Sequence, residues 1–93
     1  MGLLSDYIVE SNKEIGEGRA DIIIYPHTFN GKVIIIECKH SSRIEEIVSD
    51  SRKGAQQIKD RKYLQGVLSI GYKEAIGYGI AFHKKRCKIT MIK

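Results

Sequence analysis

The apolar residues of this chain come in short runs whose spacing changes along the sequence. Tyr7, Ile8 and Val9 open a segment that becomes polar towards Glu14 and meets Gly16-Glu17-Gly18, so Asp6 to Glu14 is expected to form a first strand closed by a turn. Arg19 to Tyr25 is the second strand. Pro26 to Gly31, with Asn30-Gly31 inside it, carries the residue types of a loop. Lys32 to Lys39 follows with four consecutive branched aliphatics, Val33 to Ile36, the pattern of a central strand buried on both faces.

After Ser42 the period becomes helical. Ser42-Arg43-Ile44-Glu45 has the form of a capping box, and Ile44, Ile47, Val48, Ser51, Ala55 and Ile58 then recur on one helical face, which predicts a helix from Arg43 to about Arg61. Gly54 lies within it and marks either a weak point or a close packing contact, since glycine costs a helix interior roughly 1 kcal/mol relative to alanine. A short second helix through Leu64 and Leu68 is expected to close near Gly71. Ala75 to Phe82 and Cys87 to Ile92, joined by His83-Lys84-Lys85-Arg86, form a terminal hairpin. The expected fold is α/β, a mixed sheet of about five strands in the order βββαβ-β with one main helix on a sheet face and a short second one.

Composition supports strands in the interior, because the aliphatic content leans to Ile and Val and Tyr supplies five of the seven aromatics. At 93 residues, without repeats or a Pro/Gly/Ser-rich linker, residues 1–93 are expected to be one small domain that buries only about 60–65% of its unfolded surface. The apolar runs are far shorter than the ~20 residues of a membrane span, and the N-terminus lacks a signal-peptide pattern; a soluble, cytoplasmic protein is expected. Cys38 and Cys87 have neither CxxC nor Cys/His spacing and are expected to stay reduced.

The net charge of +5 divides unevenly. Residues 1–47 hold five Lys/Arg and eight Asp/Glu, whereas residues 48–93 hold eleven and three. An acidic pocket beside a basic surface suits joint binding of a divalent cation and a polyanion, although solvated surface charge explains the same count.

Candidate chemistry centres on Glu37 and Lys39. They stand two residues apart at the end of the most apolar strand, so both side chains project from one face while Cys38 points from the other. If the second and third strands pair antiparallel across residues 26–32, position i faces position 58 − i and Asp21 falls opposite Glu37. Two facing carboxylates repel unless a proton or a cation lies between them. Asp21, Glu37 and the backbone carbonyl of Cys38 would suit Mg²⁺, with Lys39 orienting a water nucleophile and offsetting charge on a phosphate. A plain Glu–Lys pair at a strand edge, with Asp21 in a turn, fits the spacing as well.

Gly16-Glu17-Gly18-Arg19-Ala20-Asp21-Ile22-Ile23-Ile24 and Val33-Ile34-Ile35-Ile36-Glu37-Cys38-Lys39 together resemble the D…(D/E)xK signature of the PD-(D/E)XK nuclease superfamily. The likeness is strongest to the nuclease-like domain at the C-terminus of AAA-ATPase-like proteins of bacteria and archaea. It continues through Gln56-Gln57-Ile58 and Lys62-Tyr63 to Tyr78-Gly79-Ile80-Ala81-Phe82, covering nearly the whole chain. The resemblance implies that Asp21 and Glu37 are metal ligands for Mg²⁺ or Mn²⁺, that Lys39 is the catalytic lysine and that Gln57 reaches the site from the helix, with Gln56 the competing choice. It also raises Arg19 as a phosphate contact, against simple pairing with Glu17. Tyr63 lies six residues after Gln57, wider than a Q-x-x-x-Y spacing, and is expected to pack.

Two departures accompany the likeness. Ala20 replaces the proline of the family name. Related domains place a helix before the first strand, and Met1-Gly2-Leu3-Leu4 resembles only its last turn, which would leave a sheet face open to a second copy or another protein. His27 and His83 are expected to be exposed and without chemistry. His40 is either solvent-facing or close to phosphate. Lys84, Lys85 and Arg86 are either phosphate contacts or solvated turn charge. Tyr72 and Tyr78 could stack on bases, with core packing the better expectation for Tyr78. The function expected is metal-dependent hydrolysis of nucleic acid, most naturally DNA; the alternative is a non-cleaving nuclease-fold module that binds nucleic acid or a protein.

Overall fold

A computed structural model describes residues 7–93; the helix turn expected at Met1 to Leu4 lies outside them, as does Asp6. Five strands form one sheet in the order β1 (Tyr7–Ile15), β2 (Gly18–Pro26), β3 (Lys32–His40), β4 (Glu74–His83) and β5 (Arg86–Ile92). Only β3 and β4 run parallel. The crossover between them carries a 3-10 turn at Ile44–Glu46 and two helices, α1 (Ile47–Asp60) and α2 (Tyr63–Ile70). The mixed α/β architecture agrees with the sequence pattern, including the short second helix ending at Gly71. None of the helices is long and apolar enough to cross a membrane, among the described residues.

Both helices lie on the same sheet face. Ile23, Tyr25, Val33 and Ile35 project towards Ile58, Tyr63 and Val67, and these seven side chains with Ala20 form the buried core. The expectation that β3 would be buried on both faces is corrected: Val33, Ile35 and Glu37 are buried, whereas Ile34, Ile36 and Cys38 are half-buried. The register places Ile22, Ile36, Tyr78 and Met91 in one row on the far face, and Met91, Ile89, Phe82 and Val9 remain exposed there.

The start of the main helix also departs from expectation. Ser42 does not cap it; Arg43, in extended conformation, precedes a 3-10 turn without any side-chain cap. A tertiary bond fixes the approach instead: Ser41 Oγ donates to Asp50 Oδ2 at 2.7 Å and anchors the residue before Ser42 to α1. Ile44 and Val48 are exposed as a result, and the buried stripe is Ile47, Ser51, Gly54, Ala55 and Ile58. Ile44 belongs to a tighter turn with a different angular period, and Val48 lies about 100° round the helix from Ile47.

Gly54 is a packing contact. A Cβ on Gly79 of β4 would collide with the Ser51 carbonyl and the Ala55 amide, and one on Gly54 would meet Gly79 Cα at 3.1 Å and the Glu37 carbonyl at 3.3 Å. The missing side chains let α1 settle onto the sheet at the level of Glu37.

Candidate active site

The site forms where β2 and β3 part. Ile24, Ile23 and Ile22 pair with Ile34, Ile35 and Ile36, the register that brings Asp21 to the level of Glu37. Beyond Ile22 the side chains replace the backbone ladder. Asp21 N–H donates to Glu37 Oε1 at 3.0 Å, and Cys38 N–H donates to Asp21 Oδ2 at 2.9 Å, so each carboxylate is held by the other strand's backbone. The pairing of β1 with β2 also skips this level, where Asn12 takes a left-handed φ of 52°. Ala20, where the signature that the sequence resembles has proline, is fully buried just before Asp21.

Because α1 lies so close to β3 and β4, Gln57 reaches the carboxylates. Its Nε2 donates to Glu37 Oε2 at 3.0 Å, while its Oε1 accepts from Lys39 Nζ at 2.9 Å. The amide therefore joins the lysine to the glutamate and fixes both. Gln56, the competing choice, turns outward and donates to Asp60 Oδ1 at 2.8 Å.

Glu37 is only 2% exposed. Burial pushes its carboxyl above the ordinary value, as does the nearby Asp21 charge, against the opposing effects of the Asp21 N–H bond, Lys39 and Arg61. Burial likewise raises the Cys38 thiol, reinforced by Asp21 and Glu37, so this half-buried cysteine is a poor source of thiolate. Two hard carboxylates placed together, one disfavoured as an anion, make a donor set that a divalent cation would relieve. The described residues contain no cluster of three or more His, Cys, Asp or Glu side chains with metal-binding spacing. Asp21 and Glu37 would thus need a backbone donor, and the Cys38 carbonyl is the neighbouring one.

The remaining residues singled out in the sequence lie around this centre. Arg19 is exposed and sits 3.9 Å from Glu14, not beside Glu17, which lies 3.3 Å from Lys62. Lys84 and Lys85 form a two-residue turn closed by His83 and Arg86. This basic tip extends from the same sheet end as Lys39, because Lys39 aligns with Ala81 and His40 with Phe82. A cleft of about 420 Å³ beside it is lined by Ile44, His83, Lys84, Lys85 and Arg86. His27 and His40 are exposed. His83 corrects its expectation: it is half-buried, with Nδ1 3.0 Å from the Ser41 carbonyl, which it can bond only as the Nδ1–H donor.

Among the tyrosines, Tyr63 packs as expected, fully buried with its hydroxyl donating to the Arg19 carbonyl at 2.9 Å. Tyr72 packs between Tyr25 and Phe29, with ring centroids at 5.6 and 4.7 Å. Tyr78 is half-buried in the far-face apolar row. Arg61 went unnoticed in the sequence, although its position four residues after Gln57 puts both on one side of α1.

A family model described as the PD-(D/E)XK nuclease superfamily matches residues 1–91. No curated protein and no solved structure matches the chain.

Proposed function

The chain belongs to the PD-(D/E)XK nuclease superfamily, and on that premise we propose that it is a metal-dependent nuclease hydrolysing phosphodiester bonds of DNA. The observation that carries this reading is the linked set of Asp21, Glu37, Gln57 and Lys39, two carboxylates and an ammonium held at fixed positions where two strands separate. Members of the superfamily generally use divalent metals. Asp21, Glu37 and the Cys38 carbonyl would hold Mg²⁺ or Mn²⁺, which when bound lowers the pKa of water and offsets phosphate charge.

The protein's own groups supply the rest. Lys39, steadied by Gln57, orients a water for attack on phosphorus and donates to a non-bridging phosphate oxygen as negative charge builds there. The water oxygen forms the new P–O bond and the bond to the sugar oxygen breaks. The water's proton passes to solvent, and the departing oxygen takes one from solvent. The basic tip at Lys84, Lys85 and Arg86, on the same sheet end, provides charge for sequence-independent phosphate contacts. The likeness to the domain at the C-terminus of AAA-ATPase-like proteins would place such a site beside an ATPase.

A second reading is a module that binds without cutting. It draws on the fact that both Glu37 oxygens and the Lys39 ammonium already have protein partners. Incubating plasmid and single-stranded DNA with Mg²⁺ or Mn²⁺ separates the two. Cleavage that stops with chelator and falls at least about 100-fold in Lys39→Ala, with DNA binding retained, supports the nuclease. DNA binding without cleavage by the unaltered chain supports the module.

A further inference from the structure

The end of α1 carries a second cation towards the carboxylates. Arg61 N–H donates to the Gln57 carbonyl at 2.9 Å and its own carbonyl accepts from Glu17 N–H at 2.7 Å, so the residue is tied both to the helix that supplies Gln57 and to the turn before Asp21. Its guanidinium lies across Gly18: a Cβ there would be 3.0 Å from Arg61 Nη1 and 2.9 Å from Tyr63 Oη. The charge also acts on Glu37, whose carboxyl it helps to hold down.

The neighbouring cations are occupied differently. Arg19 lies by Glu14 and Lys62 by Glu17, whereas Arg61 belongs to none of the ion pairs among the described residues. Its fork of five N–H donors lies over Gly18, three residues before Asp21, with no carboxylate in ion-pair range among the described residues. An arginine fixed through its backbone but unmatched at its head is suited to an anion that arrives with a ligand.

We propose that Arg61 is the phosphate-positioning residue of this site, binding a backbone phosphate of the nucleic acid strand beside the phosphate that Lys39 faces. This rests on the nuclease reading. Gly18 belongs to the same device, since it leaves the space the guanidinium crosses.

The test is fluorescence anisotropy of a labelled oligonucleotide with the 93-residue chain in chelator, over a series of salt concentrations, alongside cleavage kinetics in Mn²⁺. Arg61→Ala should weaken binding about tenfold and reduce the magnitude of the log–log salt slope by about one, the loss of one phosphate contact. Its KM should rise while kcat stays within a few-fold, and Arg61→Lys should restore most of the slope. Lys59→Ala removes the same charge two residues earlier, on another side of α1, and should change the slope less.

Equal binding and slope for the unaltered chain and Arg61→Ala would overturn the assignment, leaving the nuclease reading intact if cleavage persists. An Arg61-dependent slope without cleavage by any form supports the assignment and sinks the nuclease reading. Absence of oligonucleotide binding by the unaltered chain overturns the assignment, and absence of cleavage in Mn²⁺ as well overturns both.

Discussion

Placing Glu37 in the interior opposes folding, because its carboxyl is disfavoured as an anion by burial and by Asp21. With its folded pKa above the unfolded value, the folded state keeps a proton that the unfolded state has released. Stability from this group is therefore full below the ordinary carboxylate value and is lost as pH rises through the folded one. Glu37→Gln offers one acceptor where the carboxylate accepts from both Asp21 N–H and Gln57 Nε2, so it forfeits a hydrogen bond, but it has no charge to bury. Its stability relative to the unaltered chain should therefore be lowest near the ordinary carboxylate range and improve as pH rises without metal. Thermal unfolding followed by circular dichroism between pH 4 and pH 8 (about the range of that change) checks it, and a stability difference that does not move with pH would contradict the assignment of strain to Glu37.

At the scale of elements, the site depends on how near α1 comes to the sheet. Gly79→Ala inserts a methyl group against the Ser51 carbonyl and the Ala55 amide, so α1 must shift outward, carrying Gln57 with it. A loss of roughly 1–3 kcal/mol is expected in chemical denaturation, as for other overpacked contacts. Lys39 should lose its Gln57 partner at the same time, and cleavage should fall with stability. Retained activity and stability would show that the helix is not seated by this contact.

Much of this was legible in the sequence. The branched run Val33 to Ile36 marked β3, and counting across the loop set Asp21 level with Glu37. What failed were local rules overridden by distant partners. Ser42 and Glu45 spell a capping box, yet Asp50 captures the neighbouring Ser41 and the chain enters α1 through a 3-10 turn. Spacing predicted that Glu37 and Lys39 share a face, whereas Gln57 as the helix residue that reaches them came only from the family resemblance. That contact needs Gly54 and Gly79 to coincide across 25 residues of sequence. Arg61 escaped notice for the same reason, since its setting depends on the Gly16-Glu17-Gly18 turn meeting the end of α1.

Across the molecule the two sheet faces differ in character. One is covered by helices and opens at the end of β3 into the acidic centre. The other shows an uncharged row through Ile22, Ile36, Tyr78 and Met91. The basic hairpin tip stands at the same sheet end as Lys39, so the acidic and basic halves of the sequence meet in space. Titrating Mn²⁺ into the isotopically labelled chain tests, through paramagnetic loss of backbone amide signals, whether a divalent cation binds where β2 and β3 part. Asp21, Glu37, Cys38 and Lys39 should fade first, and Asp21→Asn should abolish that selectivity; first losses at exposed acids such as Glu45 and Glu46, with these four unchanged, would contradict it.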